Sequence, residues 1–234
     1  MFKKAFTLAE VLITLGIIGV VAALTIPGLL TRLNNIKLKS QFKEGYSLLA
    51  QAVRMYNQDD EINESIAIHR RFMKYFQGAT DCGSTGEVAD DSEYCMVRQS
   101  NVDNTPRTVT NKDYEYKNYA KNTPFITTNL LDDGQFFLNN GMLIMFDQNN
   151  KNPFISIDIN GKLQKPNAWG HDVFTFELQD SEKEGGYILV PMGTKGTPYP
   201  DPKSHCSKTN NGNSNGLTCA YYAMSDNDYF NNLP

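Results

Sequence analysis

The sequence predicts an α+β fold: one long N-terminal helix, transmembrane in its first half and amphipathic in its second, packed on an antiparallel β-sheet of about four strands. Three observations predict it. The run from Val11 to Leu30 contains no charged residue. From Thr31 to Asn57 apolar residues recur at helical spacing. Beyond Phe125, short alternating apolar segments are punctuated by Asn-Gly pairs. The chain has 234 residues and a formal net charge of −4, so the portion beyond the helix is enough for one domain of about 175 residues. No concentrated basic patch occurs, and nucleic acid is not indicated as a partner.

The uncharged run, at about 1.5 Å per residue, spans roughly 30 Å, the hydrocarbon thickness of a bilayer. Lys3 and Lys4 precede it, so the positive-inside rule keeps the N-terminus in the cytoplasm and sends the rest of the chain across. Glu10 sits at the N-terminal edge of the run, where an acid is costly: about 2.5–3.5 kcal/mol at the bilayer centre and less near the interface. A partner for it inside the membrane is expected. Gly19 and Ala23 form a small-xxx-small pair that admits a close neighbouring helix. Pro27-Gly28 predicts a kink or local melting between Ala23 and Gly28, because proline removes a helical donor.

Lys3-Lys4-Ala5, then Phe6-Thr7-Leu8-Ala9-Glu10-Val11-Leu12-Ile13, then Gly16-Ile17-Ile18-Gly19-Val20-Val21-Ala22-Ala23 closely resembles the N-terminus of type IV prepilins and of the pseudopilins of type II secretion. The resemblance covers about the first 30 residues. It implies cleavage between Ala5 and Phe6 by a prepilin peptidase that also methylates the new Phe6 amine. Ala5 stands where that family usually has glycine, a departure that keeps a small residue. It further implies that Glu10 neutralises the amino terminus of a neighbouring copy during assembly. Such a pair gains Coulomb energy in low dielectric but loses much of it to desolvation, so it acts as a registry device. The implied organisation is a leader at 1–5, a transmembrane and filament-core helix at 6–30, an amphipathic half at 31–57 and a pilin-like head at 58–234. The implied partners are other copies or related pilin subunits, the peptidase/methyltransferase, an inner-membrane assembly platform, and membrane lipid before assembly. An ordinary signal peptide fits less well, because its apolar stretch would contain Glu10 and exceed the usual 7–15 residues.

In the amphipathic half, Leu38, Phe42, Tyr46, Leu49, Val53 and Tyr56 form one apolar stripe, expected to pack on the sheet. Ile62, Ile66, Phe72, Tyr75 and Phe76 suggest a short helix or two, and His69, beside Arg70 and Arg71, reads as a surface residue. A polar connection with Cys82 and Cys95 comes next, and Val97 to Tyr119 reads mostly as loop.

The sheet is expected from about Phe125. Gln135–Leu138 and Met142–Asp147 flank the turn signal Asn139-Asn140-Gly141, and Phe154–Ile159 ends in Asn160-Gly161. Val173–Leu178 alternates cleanly, and Tyr187–Val190 supplies a last strand. Asp158, Asn160 and Asp172 are hard oxygen donors of the kind calcium takes, but the dense acidic spacing of a calcium loop is missing. Asx hydrogen bonding at turns is the reading favoured here. Trp169 and His171 read as a loop anchor and its neighbour.

Four cysteines allow three pairings. The close pairs Cys82–Cys95 and Cys206–Cys219 are expected as disulfides on the exported side, each contributing about 3 kcal/mol in the chain-entropy model. The Asn/Gly/Ser-rich stretch Ser207–Thr218 then becomes a stapled loop, placed like the disulfide-bounded C-terminal loop of type IV pilins. No Cys-x-x-Cys, Gly-x-Ser-x-Gly, phosphate-cradling loop or His-Glu-x-x-His occurs, so no catalytic residue, metal site or cofactor is expected. The function implied is structural: a pilus or pseudopilus subunit that starts in the bacterial inner membrane and moves to the periplasm or cell exterior. The alternative is a monomeric, membrane-tethered periplasmic ligand-binding protein that uses a prepilin-like export signal.

Overall fold

A computed structural model describes residues 7–84, 93–96, 116–125, 133–148, 152–183 and 185–234. Ala5, Phe6 and most of the Val97–Tyr119 stretch lie outside the described residues. The chain divides into two compact units, 1–37 and 38–234. Helix α1, Leu8–Asn57, contributes to both. It is helical through Pro27, so of the kink or local melting expected between Ala23 and Gly28 the melting is not seen in this structure. One missing donor costs a single bond, and the ladder on either side holds the turn.

In the second unit, α1 is followed by α2 (Ile68–Met73), β1 (Thr80–Gly83), β2 (Gly134–Phe137), β3 (Leu143–Asp147), β4 (Phe154–Asp158), β5 (Val173–Ser181), β6 (Gly186–Pro191) and α3 (Cys219–Ser225). A 3₁₀ turn at Tyr229–Asn232 ends the order. Among the described residues the strands form one antiparallel meander in chain order, six strands rather than about four. Five of them occupy the segments read from the sequence, and the sixth, β1, is short, polar and without alternation and lies in the polar connection. Phe125, expected at the start of the sheet, instead stacks on Trp169 outside it, with centroids 3.7 Å apart.

Both faces of the sheet are covered. On one side, Ile144, Phe146, Ile155, Ile157, Phe174 and Phe176 join Leu38, Phe42, Leu49, Val53 and Tyr56 of α1 in one buried cluster. Phe42 is its centre: its ring meets Phe174 edge-on at 4.5 Å, Phe176 at 6.5 Å and Phe230 at 5.6 Å. Tyr46 is only partly buried, and Gly45 takes the close approach instead; a Cβ there would come within 2.8 Å of Ile157 Cδ1. On the opposite face, Leu143, Met145, Phe154 and Val173 pack with Tyr116, Phe125, Trp169, Met192 and Leu217. An antiparallel sheet with one solvated face alternates apolar and polar residues. This one is buried on both faces, which explains the unbroken burial of β3 and β4.

Side-chain amides act as peptide groups around the sheet, and one of them closes an edge. Asn57 Nδ2 donates to Tyr187 O at 2.8 Å, and Tyr187 N–H donates to Asn57 Oδ1 at 2.9 Å, which caps the outer side of β6. Gln135, on the interior strand β2, pairs in the same two-bond way with Met96 outside the sheet, whose N–H donates to Gln135 Oε1 at 2.7 Å. His69 is fully buried, not at the surface: its Nε2 lies 3.1 Å from Asp81 Oδ1, and Arg70 Nε donates to Asp81 Oδ2 at 2.7 Å. The short helix α2 carries His69 inward because Ile68 and Phe72 on the same helix are drawn into the core.

Removing the Phe42 ring should leave a cavity at this centre and cost about 3–5 kcal/mol. Urea titration of the detergent-solubilised Phe42→Ala protein should show a correspondingly lower midpoint, with exposed Leu163→Ala as an unshifted control. A Phe42→Ala midpoint equal to wild type would show that the helix–sheet seam does not hold the head together.

Candidate functional site

Two places concentrate the chemistry read from the sequence: the start of α1, and the connection between β4 and β5.

Residues 8–36 of α1 carry a long series of exposed apolar side chains, among them Leu12, Ile13, Ile17, Ile18, Leu24 and Leu30. An 18-residue window of mean hydropathy 2.3 lies wholly outside the buried interior, and the helix is long and apolar enough to cross a membrane. Its hydroxyls turn back on their own backbone. Thr14 Oγ1 donates to Val11 O at 2.9 Å, Thr25 Oγ1 to Val21 O at 2.9 Å, and Thr31 Oγ1 to Pro27 O at 3.0 Å. A polar side chain satisfied in this way can face hydrocarbon with little penalty. Nothing lies within 4 Å of a Cβ placed on Gly16, Gly19 or Gly28, so that surface is open to a neighbour.

Glu10 closes the helix start. The Thr7 N–H and the Thr7 hydroxyl both donate to Glu10 Oε2 at 2.8 Å, and the Glu10 N–H donates to Thr7 Oγ1 at 3.3 Å. This is a capping box, which satisfies donors that the first turn otherwise leaves orphaned. Its signature, Thr7-x-x-Glu10, is present in the sequence, but reading Glu10 as an intermolecular partner leaves that local role out.

In the second unit, Asp158 and Asp172 are buried and sit on either side of the β4–β5 connection. Asp158 Oδ1 accepts the N–H groups of Asn160 and Gly161 at 3.3 and 2.8 Å, and Oδ2 accepts the Tyr116 hydroxyl at 2.6 Å. Asp172 accepts Asn167 N–H at 2.8 Å and Ala168 N–H at 2.7 Å. Gly161 has φ +78°, and a Cβ there would collide with Gly141 O. The two carboxyls therefore bind backbone donors of turns, as the Asx reading holds. Among the described residues no group of three or more His, Cys, Asp or Glu side chains is placed to hold a metal ion. Trp169 is fully buried and donates from Nε1 to Thr175 Oγ1 at 3.0 Å. His171 donates from Nε2 to Tyr119 O at 2.9 Å.

Both close cysteine pairs are disulfides: Cys82–Cys95 and Cys206–Cys219. Inside the second, buried Asn215 organises the polar loop. Its Oδ1 accepts Ser207 N–H at 3.0 Å, and its Nδ2 donates to Ser207 O and Asn210 O at 2.8 and 2.7 Å. The staple is thus one restraint among several. No family model, curated protein or solved structure matches this chain.

The buried acids make the head sensitive to pH. Burial, and then the charge of Asp172, push the Asp158 carboxyl well above the carboxylate range. Burial pushes Asp172 up to about 6 against its two backbone donors. A carboxyl raised in the folded state stabilises the fold while protonated, and that stability is lost as pH rises through the folded value. His171, lowered to about 4 by burial, works in the opposite direction over a similar window, so the comparison has to be with a variant. Asp158→Asn keeps an acceptor for Gly161 and offers an N–H to the Tyr116 oxygen. Relative to wild type, its urea stability should rise on the order of 1–3 kcal/mol between pH 4.5 and pH 7. A difference that stays flat with pH would show that the buried pair is ionised throughout.

Proposed function

We propose that this chain is a structural filament subunit of prepilin type, belonging to a type IV pilus or a type II secretion pseudopilus. It is stored in the inner membrane, cut between Ala5 and Phe6, methylated on Phe6 and polymerised through residues 6–30. The observation that carries this reading is the helix at residues 8–36. Its apolar surface is uncovered, its hydroxyls are internally satisfied, and its one carboxylate stands at the N-terminal lip. A lone monomer leaves that surface to lipid, and a bundle of identical helices buries it. Two further features support the reading. The α+β head is cross-linked by two disulfides, as suits an exported domain. Its C-terminal disulfide-bounded loop lies outside the sheet.

In this mechanism Glu10, the one acid in the 6–30 sequence, pairs with a neighbour's Phe6 amine, and the pairing lets subunits enter the helical core in one register. The leader lysines hold the precursor in its membrane orientation until the cut. The head presents its loops outward.

Mass spectrometry of protein recovered from the membrane and from sheared filaments should give a mature N-terminus at Phe6, heavier by one methyl group. Glu10→Ala should fold, insert and be cut normally, yet be depleted from filaments more than about tenfold, the size of a lost charge pair of about 1.4 kcal/mol or more. Normal filament entry by Glu10→Ala would favour the membrane-tethered monomer, and a mature N-terminus elsewhere would remove the processing step.

A further inference from the structure

Between α1 and α2 the chain crosses the surface as Asp59-Asp60-Glu61-Ile62-Asn63-Glu64-Ser65-Ile66. The loop is anchored at its start. Asp59 Oδ2 accepts the Tyr75 hydroxyl at 2.7 Å and pairs with Lys74 Nζ, while Asp59 Oδ1 takes the Glu61 N–H at 2.9 Å. Ile62 packs against the core, and Ile68 is buried at the far end. Between these anchors Glu61, Asn63, Glu64 and Ser65 are all exposed. The chain turns at Asn63, whose backbone oxygen accepts the Ile66 N–H at 3.1 Å. The Asn63 side-chain oxygen accepts the Ser65 N–H at 3.0 Å, so its nitrogen is the end open to chemistry.

Asn63-Glu64-Ser65 is an Asn-x-Ser triplet without proline, the acceptor pattern for N-linked glycosylation. No other Asn-x-Ser/Thr triplet without proline occurs in the chain, although asparagine is abundant. The Asn-rich loop at 207–218 has none, and Asn210 and Asn215 are engaged in holding the loop. Glu61 lies two residues before Asn63 and adds an acid to the triplet, extending it to the longer acceptor pattern of bacterial oligosaccharyl transfer. A turn alone accounts for Asn63, but it requires neither the Ser65 hydroxyl nor the Glu61 carboxylate.

We propose that Asn63 is the acceptor of an oligosaccharide transferred en bloc from a lipid-pyrophosphate carrier. The site rests on the reading that the head is exported, because carrier and transferase act on that side of the membrane. In the transfer, Asn63 Nδ2 forms a bond to C1 of the first sugar and the C1–oxygen bond to pyrophosphate breaks. The lipid pyrophosphate leaves, and the Nδ2 proton passes to a carboxylate of the transferase. The glycan would stand on the surface beside the end of α1, where the loop admits a bulky solvated group without disturbing the core.

The test is to produce the full chain in a bacterial host that carries an oligosaccharyltransferase and its lipid-linked oligosaccharide, with an acceptor pentapeptide of the same class appended after Pro234. Peptide mass spectrometry reads both sites. Asn63 should carry the glycan, keep it in Ser65→Thr and lose it in Asn63→Gln and Ser65→Ala. Glu61→Gln should lower occupancy roughly tenfold, the loss of one charge-assisted contact. A bare Asn63 beside a modified C-terminal acceptor overturns the site while leaving export intact. Two bare sites show a head that is not exported, and the export reading and this site fall together. Undiminished occupancy in Ser65→Ala or in Glu61→Gln also overturns it, because the transfer would then not depend on the motif.

Discussion

The head depends on one seam, the face of α1 from Leu38 to Tyr56 laid across the inner face of a meander sheet. The seam is aromatic, with Phe42 among Phe174, Phe176 and Phe230, and Tyr56 stacked on Phe72 at 4.4 Å. Large rings bury much area per residue and favour edge-on and offset contacts, so the seam specifies an orientation as well as an affinity. The C-terminal turn is drawn into it through Phe230, and Lys39 Nζ donates to Asn227 O on the same side. The chain's last segment thereby closes on the helix that begins the domain.

Covering both faces of a sheet creates a polar problem, because backbone and side-chain donors are taken from water. The solution recurs through the head: side chains stand in for missing peptide groups. Asn57 pairs with Tyr187, Gln135 with Met96, and Asn215 with Ser207 and Asn210. Asp158 and Asp172 do the same for two turns, but a carboxylate in low dielectric is a poor substitute for an amide carbonyl unless it holds a proton. The result is a connection held by two buried acids and their backbone donors.

The first 30 residues obey another logic. Their helix has no core to face, so side-chain hydroxyls bond to their own backbone and Thr7 and Glu10 satisfy the first turn. A segment built this way suits lipid and a helix bundle equally.

Much of this was legible in the order of residues. The uncharged run, the amphipathic stripe, the Asn139-Asn140-Gly141 turn and the alternation at Val173–Leu178 each reflect a local period, and each element formed where its period lay. The two disulfides joined the cysteines closest in sequence. The sequence by itself thus determined the α+β class and the apolar helix, since both arise from spacing within a dozen residues. Only the tertiary structure decided the rest: β1 with its polar residues, His69 in the interior beside Asp81, Asn57 as an edge cap, and the layer of loops over the second face of the sheet. β1, the edge cap and the covering layer are fixed by partners distant in the chain, as with the 130 residues between Asn57 and Tyr187, and His69 by the packing of α2 into the core. No local period records a partner that far away.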